Sequence, residues 1–241
     1  MQQFVEIPAG AVHLNDARRG ESRTVQLRSF QIGVVPVTVG TYAPAASSAE
    51  APLPATGVRW IDAVRWCISA AEAEGIPPAY AVQGDEVLWD LAADGCRLPT
   101  EAEWVRACRA GSSGARYGEL PDIAWTAADA VEGPQPVGLK QPNTFGVYDM
   151  LGNAWEWCWD RLDPARYGDY RLLKGGGWAD PEWSCRAGVR RGDSPTARLE
   201  DVGFRVVRGA AGPEGQGWSE TVDRARAAIT GPRPVGWTPL R

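Results

Sequence analysis

Tryptophans at 155, 157 and 159 alternate with Glu156, Cys158 and Asp160 just after Gly152-Asn153, and no other stretch constrains the fold as much. An amphipathic helix repeats its apolar residues at three and four positions, a half-buried strand at two. The run "DMLGNAWEWCWD", 149–160, therefore predicts a turn at Gly152-Asn153 that leads into a strand. Three indoles on one strand bring a large apolar area to a core. The 241-residue chain is long enough to bury one. Its 12 tryptophans sit among 28 glycines and 19 prolines, which predicts many turns, few long elements and a core that leans on aromatic side chains.

Charge and composition exclude several classes. The net charge is −5, with no block of like charge and no clustered Lys and Arg, which argues against a nucleic-acid surface. No run of eighteen apolar residues offers a membrane span. The opening "MQQFVEIPAG" has no basic region followed by an apolar run. The five cysteines form no CxxC pair, so reduced thiols in a cytoplasmic setting are the expectation.

The segments "FVEIPAG" and "RTVQLRSFQIGVVPVT" read as short strands, and residues 43–57 as a polar, Pro-rich loop. "WIDAVRWCISAAEAEG" predicts a helix burying Ile61, Val64, Ile68 and Ala71 and stopped by Gly75 and Pro77. "AYAVQGDEVLW" predicts a hairpin around Gly84-Asp85. In "RLPTEAEWVRACRAGSSG", Thr100 and Glu103 spell a capping box, Gly111 a stop, and Trp104, Ala107 and Cys108 a core face. Residues 112–145 are loop-rich, and "RLLKGGGW" and "VGFRVVRG" read as strands. There is no internal repeat. One domain over 1–209 is expected, then a Gly/Pro-rich tail over 210–241 with a helix candidate at 219–229, wrapping the domain or partly disordered. Two main helices, short strands and much loop make an α+β domain.

Taken in order, "IPAG", "PVT", "RLPTEAEW", "NTFGVYDMLGNAWEW", "KGGGW" and "GFRVV" resemble the formylglycine-generating-enzyme, or sulfatase-modifying-factor, family over residues 4–208. The resemblance implies an irregular α+β fold related to C-type lectins. It leaves activity open, because this fold hosts unrelated functions. The family includes enzymes that oxidise a sulfatase cysteine to formylglycine, sulfoxide synthases, siderophore-maturation oxidases and hypervariable binding proteins of retroelements.

By resemblance, a structural calcium ion is held by the Asp149 side chain, the Gly152 and Ala154 carbonyls and the Glu156 side chain, a donor set of the oxygen type that calcium takes. Read without the family, the two carboxylates merely satisfy turn amides and neighbouring arginines. The tryptophans of this stretch are expected in the core or a pocket wall. The family's formylglycine chemistry uses two cysteines, four residues apart, that bind copper through soft thiolates. Counted from the glycines of "GGGWADPEWSCRAGVRRGDSP", those positions hold Asp180 and Cys185; counted back from "GFR", neither is cysteine. One thiol cannot form a copper bis-thiolate site. The iron of the sulfoxide synthases needs three histidines, and His13, expected on a loop, is the single histidine here. No copper or iron site is evident within the chain.

A pocket near the C-terminal strands is expected, lined by Trp178, Asp180, Glu182, Trp183, Cys185, Arg186, Arg190, Asp193 and Ser194, and suited to an amino acid, a peptide or another small molecule. Cys185 and Asp180 are the catalytic candidates. Arg186 beside Cys185 could favour the thiolate; a small buried apolar cysteine is the plainer alternative. Arg186, Arg190 and Arg205 are expected to buttress the fold through ion pairs, though one could clamp a carboxylate. Cys67 and Cys108 are expected in the core, Cys96 and Cys158 in the core or partly exposed. Three functions follow: oxidative tailoring of an amino-acid or peptide-like substrate, a binding module on the same scaffold, and a sulfatase-maturation factor using Cys185 alone.

Overall fold

The computed structural model describes residues 2–16, 20–212 and 215–227. The architecture is α+β with short elements. Strands β1 (Phe4–Ile7), β2 (Gly10–Asp16), β3 (Glu21–Leu27) and β4 (Phe30–Gly33) open the chain, and helices α1 (Val39–Tyr42) and α2 (Trp60–Ala73) follow. Next come β5 (Tyr80–Gln83), β6 (Glu86–Trp89), α3 (Glu101–Arg109) and α4 (Leu120–Ile123). The C-terminal half carries β7 (Trp155–Arg161), α5 (Pro164–Tyr167), β8 (Arg171–Lys174), β9 (Arg191–Asp193), β10 (Val202–Phe204), β11 (Val207–Arg208) and α6 (Glu220–Ala227). β2 and β3 form a hairpin, as do β5 and β6 around Gly84-Asp85; β4 lies between β1 and β11.

The central sheet runs β10-β7-β8-β9. β7 pairs antiparallel with β8 but parallel with β10, so this sheet is mixed. Every residue of β7 except Arg161 is buried. Trp155, Trp157 and Trp159 join Trp60, Val64, Cys67 and Tyr80 in one core, while Cys158 joins Trp104, Ala107 and Cys108 in another. The two-residue period of a strand sends alternate side chains to opposite faces. Here both faces are covered, by α2 on one side and α3 on the other.

Two local departures have physical causes. α2 buries Trp60, Ala63, Val64, Cys67 and Ala71, while Ile61 and Ile68 stay half-buried. The large Trp60 indole fixes the rotation: it lies 5.4 Å from the Trp159 ring and donates to the Cys158 carbonyl at 3.0 Å. His13 is on β2 rather than on a loop, and its Nδ1 shares a 2.7 Å hydrogen bond with Thr24 Oγ1 across the hairpin. α3 starts on the predicted capping box: Thr100 Oγ1 accepts from the Glu103 amide at 3.2 Å and Glu103 Oε2 from the Thr100 amide at 2.9 Å. It ends with Ala110 in the left-handed region.

Residues 215–223, within the expected tail, pack onto the domain. Thr100 Oγ1 donates to the Gln216 carbonyl at 2.9 Å, and Trp218 lies 5.5 Å from Trp159. Of the helix expected at 219–229, residues 220–227 are helical and 228–229 lie outside the described residues.

Candidate functional site: a turn, a closed cysteine and an arginine-lined cleft

The turn before β7 is tightly built. Asp149 (φ 54°) and Asn153 (φ 61°) adopt left-handed backbone, and at Gly152 (φ 71°) a Cβ would collide with the Trp125 carbonyl. Asp149 accepts from the Gly138 amide at 2.7 Å, and burial raises its pKa. Glu156 is paired: Oε1 accepts from Arg205 Nη2 at 2.9 Å and Nε at 3.1 Å, and Oε2 from Trp104 Nε1 at 2.7 Å. Arg205, wholly buried, also donates to the Gly33 and Tyr148 carbonyls, at 2.7 Å each. The Gly152 carbonyl accepts from the Ala154 amide at 2.8 Å. A calcium ion at Asp149, Gly152, Ala154 and Glu156 would have to displace a buried guanidinium from Glu156. The donor set as folded does not fit that ion, and Arg205 supplies the positive charge. No cluster of three or more His, Cys, Asp or Glu suited to a metal is present among the described residues.

Asp180 and Cys185 stand close enough for the carboxylate to act on the thiol, and each is tied into the structure around it. Asp180 Oδ2 accepts from Trp155 Nε1 at 2.5 Å and from the Gly177 amide at 2.9 Å, closing a turn. Cys185 is 0% exposed. A Cβ at Gly176 would sit 2.7 Å from its Sγ, so only glycine lets the backbone pass. Burial, then Asp180, pushes its pKa up to about 12. That is the opposite of a reactive thiolate. Arg186 does not reverse it: its Nε donates to the Trp183 carbonyl at 2.6 Å, and it has no carboxylate partner among the described residues, contrary to the expected ion pair. These residues do not fit a copper bis-thiolate. All five cysteines are free and buried, Cys96 and Cys158 included.

The expected lining residues divide into three groups. Glu182, Trp183 and Arg186 line an open surface cleft together with Ala115, Arg116 and Glu119. Arg186 and Arg190 line a second cleft of about 430 Å³, which also takes in Asn15 and Asp16 of β2, Arg109 of α3, the 113–115 loop and Leu162-Asp163. The two clefts share Ala115 and Arg186. Trp178, Asp180, Cys185, Asp193 and Ser194 line neither. Trp178 donates its amide to the Asn153 carbonyl, Asp193 accepts from the Ser194 amide, and Ser194 Oγ pairs with Thr196 Oγ1.

Arg190 is the hinge between this cleft and the core. Its Nη1 lies 2.8 Å from Asp16 Oδ2 and its Nε 2.9 Å from Glu101 Oε1. Glu101 is also 3.7 Å from Lys174 Nζ, a fully buried ammonium with no hydrogen-bond partner. Despite burial, Arg190 and Lys174 hold the Glu101 carboxyl below its usual range. Neighbouring Asp160, which accepts from the Glu101 amide at 2.8 Å, is raised to about 7 by burial and by Glu101. Sequence reasoning missed Arg109, Asp16 and Asp163. Only folding brings the end of α3, the end of β2 and residues 186–190 together.

Fold and site together define a lectin-like domain in which Cys185 is enclosed and Asp180 is tied to Trp155 and the Gly177 amide, while an arginine-lined cleft faces solvent. Residues 44–210 match the model of the sulfatase-modifying factor enzyme 1-like domain, and the chain belongs to that family. It is 31% identical over 185 residues to the inactive C-alpha-formylglycine-generating enzyme 2 of Bos taurus, covering 65% of this chain and 61% of that protein. It is 34% identical over 194 residues to the hercynine oxygenase of Mycolicibacterium thermoresistibile, covering 68% of this chain and 40% of that one. Among solved structures it is similar to Treponema denticola variable protein 1, with a TM-score of 0.76 and 27% identity over 85% of this chain and 94% of that one.

Proposed function

We propose that this chain is a non-catalytic, ligand-binding member of the family, whose copper-dependent oxidation is lost. One observation carries this: at the positions that the resemblance, counted from the glycines, gives to the metal-binding thiols, Asp180 is bonded to Trp155 and Gly177, and the remaining thiol, Cys185, is fully enclosed. The solvent-facing cleft beside it is of a size suited to an amino acid, a short peptide or a comparable small molecule. The similarity to a relative named inactive is in keeping with this role. A second function, oxidative tailoring of an amino-acid or peptide-like substrate in the same cleft, draws support from the similarity to the hercynine oxygenase, of which the chain spans 40%. Sulfatase maturation through Cys185 alone has the buried thiol against it. Calcium at the 149–156 turn rests on the family resemblance, and we assign its stapling role to Arg205.

The test is aerobic incubation of the purified chain with copper and a cysteine-containing sulfatase peptide, read by mass spectrometry and by oxygen consumption. No formylglycine and no peptide-dependent oxygen uptake are expected. Conversion of the peptide would sink the non-catalytic role.

A further inference from the structure

We infer that the cleft between β2, the end of α3 and residues 186–190 is a carboxylate-recognition site for an amino acid or a peptide C-terminus, with Arg109 and Arg186 as the receiving groups. It rests on the ligand-binding role proposed above and names the ligand's recognised group.

Three guanidiniums, Arg109, Arg186 and Arg190, line about 430 Å³ of cleft. Arg190 is committed to Asp16 and Glu101. Arg109 and Arg186 have no carboxylate partner among the described residues, although the chain carries more acidic than basic residues. Arg109 donates Nη1 to the His13 carbonyl at 3.2 Å, while its Nε is buried with no acceptor. A buried donor without an acceptor is costly and calls for a ligand, an ion or water. Arg186 spends only Nε on a protein carbonyl, leaving the guanidinium fork to reach a planar oxyanion. Among the described residues of the lining, three arginines stand against two carboxylates, Asp16 and Asp163. An arginine-rich lining of this kind draws an anion, and the phosphate arm of the titration separates a carboxylate from a phosphate. Leu162 and Val189 add apolar wall. Beyond Arg186 the open surface cleft leads to Trp183, 63% exposed, an aromatic surface over which the rest of a peptide can lie.

The experiment is isothermal titration of the full chain with the twenty free amino acids and with N-acetyl-Ala-Ala, each beside its C-terminal amide, and with inorganic phosphate. At least one free acid is expected to bind with Kd on the order of 1 mM or tighter. Its amide, and the Arg186→Gln and Arg109→Gln variants, are expected to lose at least about tenfold in affinity, since hydrogen bonds to charged groups are the strong ones. Arg186 is exposed, so an unchanged melting temperature for its variant removes misfolding from the readout. No binding by any acid, equal binding of acid and amide, an unaffected Arg186→Gln variant, or tighter binding of phosphate each overturns the inference. Peptide oxidation in the copper assay removes the non-catalytic role instead. Failure of titration alone leaves that role standing and removes the carboxylate site.

Discussion

Replacing Arg205 by methionine tests how the turn before β7 is held. The substitution keeps an unbranched apolar stem and removes the guanidinium with its charge. Glu156, 1% exposed, would keep only the Trp104 indole as a partner, and the Gly33 and Tyr148 carbonyls would lose their donors. Removing one member of a buried ion pair costs about 3–5 kcal/mol, because the other charge stays buried and uncompensated. Each carbonyl left without its donor adds about 1 kcal/mol. The expected loss is about 5–7 kcal/mol, a large share of the 5–15 kcal/mol that is typical of a folded domain. At about 2–4 °C per kcal/mol for a chain of this size, the melting temperature should fall by roughly 10–28 °C. Urea unfolding followed by tryptophan fluorescence measures this directly. The double variant Arg205→Met, Glu156→Gln should recover a substantial part of the loss. Removing calcium with a chelator should leave the wild-type transition unmoved, because Arg205 already occupies Glu156. A single variant that loses less than about 1 kcal/mol, or a wild-type protein destabilised by the chelator, would refute the assignment of Arg205 as the cation of this turn.

Two further outcomes are expected. Asp160 is held near pKa 7 by burial and by Glu101, against about 3.9 for an unfolded aspartate, so its contribution to stability is fully present below about pH 4 and is lost as pH rises towards 7. Asp160→Asn keeps an acceptor for the Glu101 amide and should flatten that slope, gaining most over wild type near pH 8 in urea titrations at several pH values. With all five cysteines buried, iodoacetamide at pH 8 should label none in the folded chain and all after unfolding, and rapid labelling of Cys185 in the native state would contradict its enclosure.

Much of this fold was written locally. Thr100 and Glu103 spell the start of α3 because a capping box is made within four residues. The alternation at 155–159 spells β7, and Gly84-Asp85 the β5–β6 hairpin. What remained hidden depends on partners far apart in the chain. The parallel pairing of β10 with β7 joins Val202 to Trp155 and leaves no local trace. The rotation of α2 follows from where Trp60 meets Trp159. The candidate site divides in the same way. Asp180 and Cys185 could be found by counting from the glycines, but the closure of Gly176 over the Cys185 sulfur could not. Glu182, Trp183, Arg186 and Arg190 could be named from one segment. Arg109 and Asp16 enter the cleft only because α3 and the β2–β3 hairpin pack together, and a residue on a helix end carries no signal of that on its own.

The burial of β7 on both faces has a consequence for how such a chain can vary. Moving this strand by one residue would deliver Glu156 and Asp160 into the tryptophan core and thrust three indoles among the ion pairs of the opposite side. A single insertion or deletion between 154 and 157 is therefore costly in a way that point changes at the exposed positions 113–115, 181–183 and 186 are not. The chain thus sets a strand whose register is fixed on both faces beside exposed loop positions around the arginine-lined cleft that carry no such constraint. Diversity in what this domain holds should accumulate in those loops, while the tryptophan strand keeps count.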